Sequence, residues 1–277
     1  MSDSKFRLAV CQIRTRADKN DTLSKAEEMV REAALHGASV VVLPEMFTSL
    51  CSHEYFHQYA EPGDGRTFQS LSRWAGEYNV ILVGGSIPET ENGKLYNSSF
   101  VFDRNGELLA RHRKVHMFDI DLKDQFTFNE SDSFTAGDDY CVFDTDLGRF
   151  GVAICFDIRF PELARLEAMR GAKLIFCPAA FNMTTGPAHW ELTFRARAVE
   201  DQAYFAACSP ARMEGSSYIA FGHSLVASPW GDVLCDAGIC ETVLYCDIDF
   251  DYADDIRAQL PLLSARREDV YELKLKK

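Results

Sequence analysis

The stretch GRFGVAICFDIRFPELARL, residues 148–166, decides how this chain is read. Small and apolar residues from Gly148 to Ile154 have the composition of a buried strand. Pro161 to about Arg170 has that of a helix, with proline suited to a first turn and Gly171 as a stop. Cys155 falls between the two. A cysteine that only fills a core belongs inside the strand, where free thiols behave as small hydrophobes. One at the strand's exit raises a question of chemistry.

Strands and helices alternate on both sides of this segment. Phe6 to Ile13 reads as a strand, Asp21 to His36 as a helix stopped by Gly37, and ASVVVLPEMF as a buried strand ending at Pro44, directly before Glu45. Thr67 to Tyr78 predicts a second helix and VILVGGSIPE one further strand. LYNSSFVFDRNGELLARHRK predicts a hairpin about Asn105-Gly106, with Lys114 at its far end. After the cysteine, KLIFCPAAF and AYFAAC read as strands flanking a helix from about Ala188 to Glu200. GHSLVASPWGDVLCDAG reads as a hairpin turning at Gly231-Asp232, TVLYCDID as a last strand and Asp251 to Gln259 as a last helix. No linker rich in Ser, Pro or Gly divides the two similar halves. Residues 1–277 are therefore expected to form one α/β domain, with two sheets face to face and helices outside.

Composition narrows the function. With 47% apolar and 26% charged residues the chain has the makings of a sizeable core, and no apolar run reaches the length that spans a bilayer. A net charge of −13 argues against nucleic acid or an anionic membrane as partner, and an anionic substrate would need a local cation to hold it. The nine cysteines are scattered, with no CxxC pair and no zinc spacing, so neither a metal nor an organic cofactor is expected. Cys235, Cys240 and Cys246 lie in strand-like sequence and read as core filler. Reduced thiols, and an N-terminus (MSDSKFRLAV) without a signal pattern, predict a cytoplasmic protein.

Three apolar strands finish on an ionisable residue: Glu45 after VVVLP, Lys114 after LLARHR and Cys155 after GVAI. Strand ends on one edge of a sheet converge although distant in sequence, and ligand sites in α/β proteins favour such edges. A thiol to attack, a carboxylate to move protons and an ammonium to stabilise negative charge make a small catalytic set. Singly each has an ordinary reading, a loop cap for Glu45 or the solvated end of a basic cluster for Lys114. Glu130, in FTFNES, is more ambiguous still. The spacing alone gives a candidate site.

The arrangement resembles the nitrilase (carbon–nitrogen hydrolase) superfamily, whose members carry a Glu-Lys-Cys triad in this order. The resemblance runs through LPEMF, HRKVHMFDID and GVAICFDIRFPEL and covers essentially the whole chain. Within the superfamily it looks closest to the omega-amidase branch, on CPAAFNMTTGPAHWELTFRARAVEDQAYFAACSPAR and GHSLVASPWGDVL. It implies a four-layer αββα sandwich, a homodimer or larger assembly, and Glu45, Lys114 and Cys155 as catalytic residues, with Glu130 as an added glutamate. The implied reaction is hydrolysis of short omega-amides of dicarboxylic acids (2-oxoglutaramate, 2-oxosuccinamate or succinamate types) through a thioester. The Phe156 N–H would share the oxyanion with Lys114. For the far carboxylate Arg159 is the candidate clamp, with Phe181 and Asn182 expected to line the same pocket; Arg195 and Arg197 read as packing or interface residues.

Two departures bear on substrate choice. Phe156 stands where close relatives often have Tyr, and EMFTSLCSHEYF differs from the usual run after the first glutamate. The pair Phe156-Asp157 after the nucleophile, where true nitrilases usually have Trp-Glu, favours amides over nitriles. Competing readings are an amidase for deaminated glutathione or N-carbamoyl amino acids, a non-catalytic binding member of the fold, and a redox or metal-storing thiol protein.

Overall fold

The computed structural model describes residues 4–123 and 126–276, with Phe126 described by its backbone alone. The elements in order are β1 (Lys5–Gln12), α1 (Lys19–Leu35), β2 (Val40–Val42), α2 (His53–Gln58), β3 (Glu61–Pro62), α3 (Arg66–Tyr78), β4 (Ile81–Val83), β5 (Ile87–Glu91), β6 (Lys94–Phe102) and β7 (Leu108–Arg113). Then follow β8 (Asp119–Leu122), β9 (Phe126–Asn129), β10 (Val142–Thr145), β11 (Gly148–Val152), α4 (Pro161–Met169), β12 (Leu174–Pro178), α5 (Gly186–Asp201), β13 (Tyr204–Cys208), β14 (Leu225–Ala227), β15 (Val233–Asp236), β16 (Thr242–Asp249) and α6 (Phe250–Gln259).

Two sheets carry the architecture. One has the order β16-β1-β2-β4-β6-β5-β3, with β7 also paired to β6; the other has the order β10-β11-β12-β13-β14-β15. Side chains alternate across a strand, and here the alternation sorts residues into layers. Leu8 and Val10 of β1 meet Phe150 of β11 and Leu174 and Phe176 of β12 in one apolar layer between the sheets. Their neighbours Ala9 and Cys11 face outward, against Leu23, Met29 and Val30 of α1 and Leu71 and Trp74 of α3. On the second sheet Ile175 and Cys177 face outward, against Trp190, Phe194 and Ala198 of α5. The result is the expected αββα sandwich, the central strands β2, β4, β12 and β13 buried on both faces.

Propensity and capping agree with this placement. Asp18 caps α1 by accepting from Asn20 N, and Asn79 ends α3 in a left-handed conformation. One expectation is corrected. VILVGGSIPE is two strands, β4 and β5, which pair with different stretches of β6. Gly84 and Gly85 make the break. Gly85 has φ +59°, and a Cβ there would lie 2.2 Å from the Pro44 carbonyl oxygen, so a side chain is excluded on two counts. Another correction concerns the cysteines: Cys246 is buried, but Cys235 is only half-buried and Cys240 is exposed. All nine are free. Among the described residues no helix is long and apolar enough to cross a membrane.

Phe150 is the hub of the inter-sheet layer, with ring centroids of Phe176 at 5.5 Å, Phe6 at 5.8 Å and Phe250 at 5.9 Å. Phe150→Ala is expected to lower the free energy of unfolding by about 3–5 kcal/mol, measured by urea denaturation. A change below about 1 kcal/mol would show that the sheets do not depend on this ring.

Candidate active site

Three strand ends converge where the two sheets meet. Glu45 follows β2 after Leu43-Pro44, in a turn whose next residue, Met46, has φ +48°. The Met46 N–H donates to Ser86 Oγ at 3.1 Å, which ties this turn to the glycine break after β4. Lys114 follows β7, its N–H donating to the Asn97 carbonyl of β6 at 2.9 Å. Cys155 opens a 3-10 turn, Cys155–Arg159, three residues beyond the end of β11. Its φ of +47° is rare for a residue with a side chain and costs about 1–3 kcal/mol. This left-handed elbow keeps the strand buried while the sulfur lines a cleft. That is the physical reason the thiol stands at the strand's exit.

The charged groups are arranged around the ammonium. Lys114 Nζ lies 3.0 Å from Glu45 Oε1 and 2.6 Å from Glu130 Oε2. Asn97 Nδ2 bridges the same carboxylates, at 2.9 Å from Glu45 Oε1 and 3.2 Å from Glu130 Oε1. The Ala180 N–H, just after β12, donates to Glu45 Oε2 at 2.9 Å, and the Phe118 N–H donates to Glu130 Oε2 at 2.7 Å. Glu45 and Ala180 N–H are also the hydrogen-bonding neighbours of the Cys155 thiol. Glu45, Lys114, Glu130 and Cys155 are all buried.

The cleft above them has a cavity of about 70 Å³. That is several times the roughly 10–15 Å³ that one water needs, and suits a short chain rather than a peptide. Its polar floor is Glu45, Lys114, Glu130 and Cys155; Phe118, Phe128, Met213 and Pro210 are among its apolar walls. Met46, Ser49, Leu50, Cys51 and Phe56 also border it. The segment after Glu45, which runs into α2, therefore borders the cleft.

Residues 7–258 match the family model described as carbon-nitrogen hydrolase. The chain is 50% identical over 274 residues to the curated "Omega-amidase NIT2" of Mus musculus, covering 99% of each, and 48% identical over 272 residues to that of Homo sapiens, covering 98% and 99%. This chain belongs to the carbon–nitrogen hydrolase family. Among solved structures it is similar to Saccharomyces cerevisiae Nit3, described as a member of branch 10 of the nitrilase superfamily, with TM-score 0.87, 38% identity and coverage of 95% and 96%. It also resembles the C. elegans NitFhit protein, with TM-score 0.91 and 30% identity, covering 100% of this chain and 68% of that one.

Burial and charge set the resting state of this carbon–nitrogen hydrolase site. Burial alone would lower the Lys114 pKa, but the charges of Glu130 and Glu45 hold it well above its ordinary value, so the ammonium stays charged. Glu130 is pushed up, by burial and by Glu45 against the pull of Lys114. The Cys155 thiol is pushed well up by burial and by the Glu45 carboxylate, which outweigh Lys114 and the Ala180 N–H.

The remaining residues named from the sequence lie around the cleft rather than among the residues that line it. The Phe156 ring packs edge-on against Phe118, at 5.2 Å, and its N–H belongs to the first turn of the 3-10 segment, where backbone donors lack intrahelical partners. The Phe181 side chain is core, 5.1 Å from the Trp190 ring centroid. Asn182 Oδ1 accepts from the N–H groups of Thr184 and Thr185, so it shapes the turn before α5. Arg159 lies over the Phe181 ring at 4.3 Å, with Nη1 3.1 Å from His189 Nδ1. It forms no ion pair with Glu162, and among the described residues none with any carboxylate. Arg195 packs against Gly231 O, and Arg197 braces the elbow through Ile158 O at 2.9 Å and Arg159 O at 3.2 Å.

Sequence reasoning missed Asn97, the Ala180 N–H and Tyr218, which lines the cleft and donates to Ala180 O. A signal for Asn97 existed: NSS interrupts an apolar strand, and a buried polar side chain needs partners.

A raised thiol pKa means that thiolate forms only as pH climbs beyond the ordinary thiol range. The difference in thiolate ultraviolet absorbance between wild type and Cys155→Ser is therefore expected to show no step between about pH 6 and pH 8. A step inside that window, or excess wild-type thiolate absorbance already present at about pH 6, would mean a thiol pKa that is lowered rather than raised.

Proposed function

We propose that this protein hydrolyses the terminal primary amide of short dicarboxylic acid monoamides, of the 2-oxoglutaramate, 2-oxosuccinamate or succinamate type, to the dicarboxylate and ammonia. The observation that carries the mechanism is the buried ammonium of Lys114, flanked by Glu45 and Glu130 beside the Cys155 thiol. Identity of 50% across the length of a curated omega-amidase supports the substrate class.

In this reading Glu45 takes the thiol proton as the sulfur attacks the amide carbon, and the C–S bond forms as the carbonyl π bond opens. The tetrahedral oxygen is held by the Lys114 ammonium and the Phe156 N–H; one such donor is worth about 3–4 kcal/mol. Glu45 then gives the proton to the departing nitrogen, ammonia leaves, and a thioester remains. Water activated by Glu45 attacks the thioester, releases the acid and returns the proton to sulfur. Glu130 orients the ammonium. No step needs a metal or an organic cofactor.

Arg159 is our proposed clamp for the far carboxylate. Supporting this, its half-buried guanidinium interacts electrostatically with Cys155 and Tyr218, and its Nε is buried without a hydrogen-bond partner. Residues 1–277 are taken as one catalytic unit, since both sheets supply its groups. A cytoplasmic location and a homodimer or larger assembly belong to the same proposal, and the exposed Leu192, Val199 and Trp230 on and beside α5 support the assembly.

Ammonia release from a panel of succinamate, 2-oxoglutaramate, deaminated glutathione and an N-carbamoyl amino acid tests the reading. The omega-amides should turn over fastest, hydroxylamine should capture the acyl group, and Cys155→Ala should abolish release while keeping the fold. Preference for either of the larger or ureido substrates would overturn the substrate class. Arg159→Gln is expected to raise KM for succinamate about 10- to 100-fold, the worth of a charge-assisted pair, with little change for a neutral short amide. Equal effects on both substrates would remove Arg159 from the clamp.

A further inference from the structure

One buried carboxylate near the cleft has no part in the proton transfers above. Asp157, two residues beyond the nucleophile, is wholly buried, and both of its oxygens are occupied. Oδ2 accepts from the Ile154 N–H at 3.0 Å and lies 3.1 Å from His112 Nε2. Oδ1 accepts from the Val115 N–H at 3.1 Å and the His116 N–H at 2.8 Å, and lies 2.9 Å from His116 Nδ1. The His116 ring is in turn stacked on Phe160, with centroids 3.7 Å apart, at the end of the elbow. The backbone donors are not a random set. Ile154 immediately precedes Cys155, and Val115 and His116 immediately follow Lys114.

We propose that Asp157 is a positioning residue that fixes the spacing between the Cys155 sulfur and the Lys114 ammonium, by binding the peptide groups next to both. This rests on the reading of Cys155 as nucleophile and Lys114 as oxyanion donor. The two residues come from different sheets, β11 in one and β7 beside the other. Among the described residues the hydrogen bonds that tie one turn to the other all go to Asp157, so the carboxylate acts as a shared pin. Only an anion with acceptors on both sides can serve three N–H groups and two imidazoles at once. An amide cannot: its NH₂ group would face either Ile154 N–H or the Val115 and His116 N–H pair. The same pin opposes relaxation of the left-handed Cys155 backbone, since Ile154 N–H is held on one side of it. Displacement of a reacting group by about 1 Å costs on the order of 100-fold in rate, whereas the cleft walls that meet the body of the substrate stay in place.

The test compares kcat and KM of wild type, Asp157→Asn and a control, Glu61→Gln, on whichever amide of the panel the wild type turns over. Failure of succinamate alone would thus touch the substrate reading and not this one. Glu61 is likewise bonded to a backbone N–H (Thr67) and a basic side chain (Lys19), but it lies outside the cleft. Asp157→Asn, folded by circular dichroism, should lose about 100-fold in kcat with KM within about threefold of wild type, while Glu61→Gln keeps its kcat. A kcat within about threefold of wild type per folded enzyme, a loss confined to KM, or an equal kcat loss in Glu61→Gln would overturn the proposal. Should Asp157→Asn not fold, His116→Ala takes its place, because it removes one partner of the pin and leaves the three backbone bonds. A fall of about fivefold or more in kcat at constant KM then supports the positioning role, and an unchanged kcat overturns it.

Discussion

The constraint on which the site depends is the desolvated ammonium of Lys114. A lone buried cation would lose its proton; flanked by two carboxylates at 3.0 and 2.6 Å, it keeps it. The arrangement is costly to assemble, and removing one member of a buried pair typically costs about 3–5 kcal/mol because the other charge is stranded. Asn97 and the N–H groups of Ala180 and Phe118 offset part of that cost by satisfying the remaining lone pairs. The upward shift of Glu130 is the counterpart: burial and the nearness of Glu45 oppose a second full negative charge beside one cation.

Such a cluster exists only because the sheets stack. Glu45 leaves β2 of one sheet, Cys155 and Ala180 leave β11 and β12 of the other, and Lys114 leaves β7 at the flank of the first. The apolar layer centred on Phe150 holds the sheets in register, and polar contacts complete the alignment at their common edge. Packing brings the groups within a few ångströms, and hydrogen bonds fix the remainder. The elbow at Cys155 and the turn at Met46 store backbone strain at the two points where the chain leaves a buried strand for the cleft.

Much of this is legible in the sequence, for a definite reason. Glu45, Lys114 and Cys155 stand out because each ends an apolar run, and a charged or reactive side chain there is easily noticed. The layers are legible because buried strands and amphipathic helices alternate. Asn97 sits inside a strand, so its role depends on which face of β6 meets which neighbour, a matter of register. Asp157 reaches the Val115 and His116 N–H groups, and Glu45 the Ala180 N–H, across long stretches of sequence, which no spacing rule encodes. Phe181 and Asn182 stand close to a strand end yet do not line the cleft, because beyond β12 the chain is irregular: the Phe181 ring packs on Trp190 and Asn182 Oδ1 holds the turn before α5. The split of VILVGGSIPE was foreshadowed by its two glycines; that both strands pair with β6 was not.

In the proposed mechanism the ammonium faces the charge developing on the substrate, and does more than neutralise its two carboxylates. Rapid-quench mass spectrometry of the intact protein, reading the acyl-enzyme on Cys155, separates these roles in Lys114→Met and in Lys114→Met combined with Glu130→Gln, where one cation and one carboxylate are removed together and the net charge of the cluster returns to that of one ammonium with two carboxylates. Acylation should be slowed about 100- to 1,000-fold in both. Recovery of the wild-type acylation rate in the double variant would contradict the account.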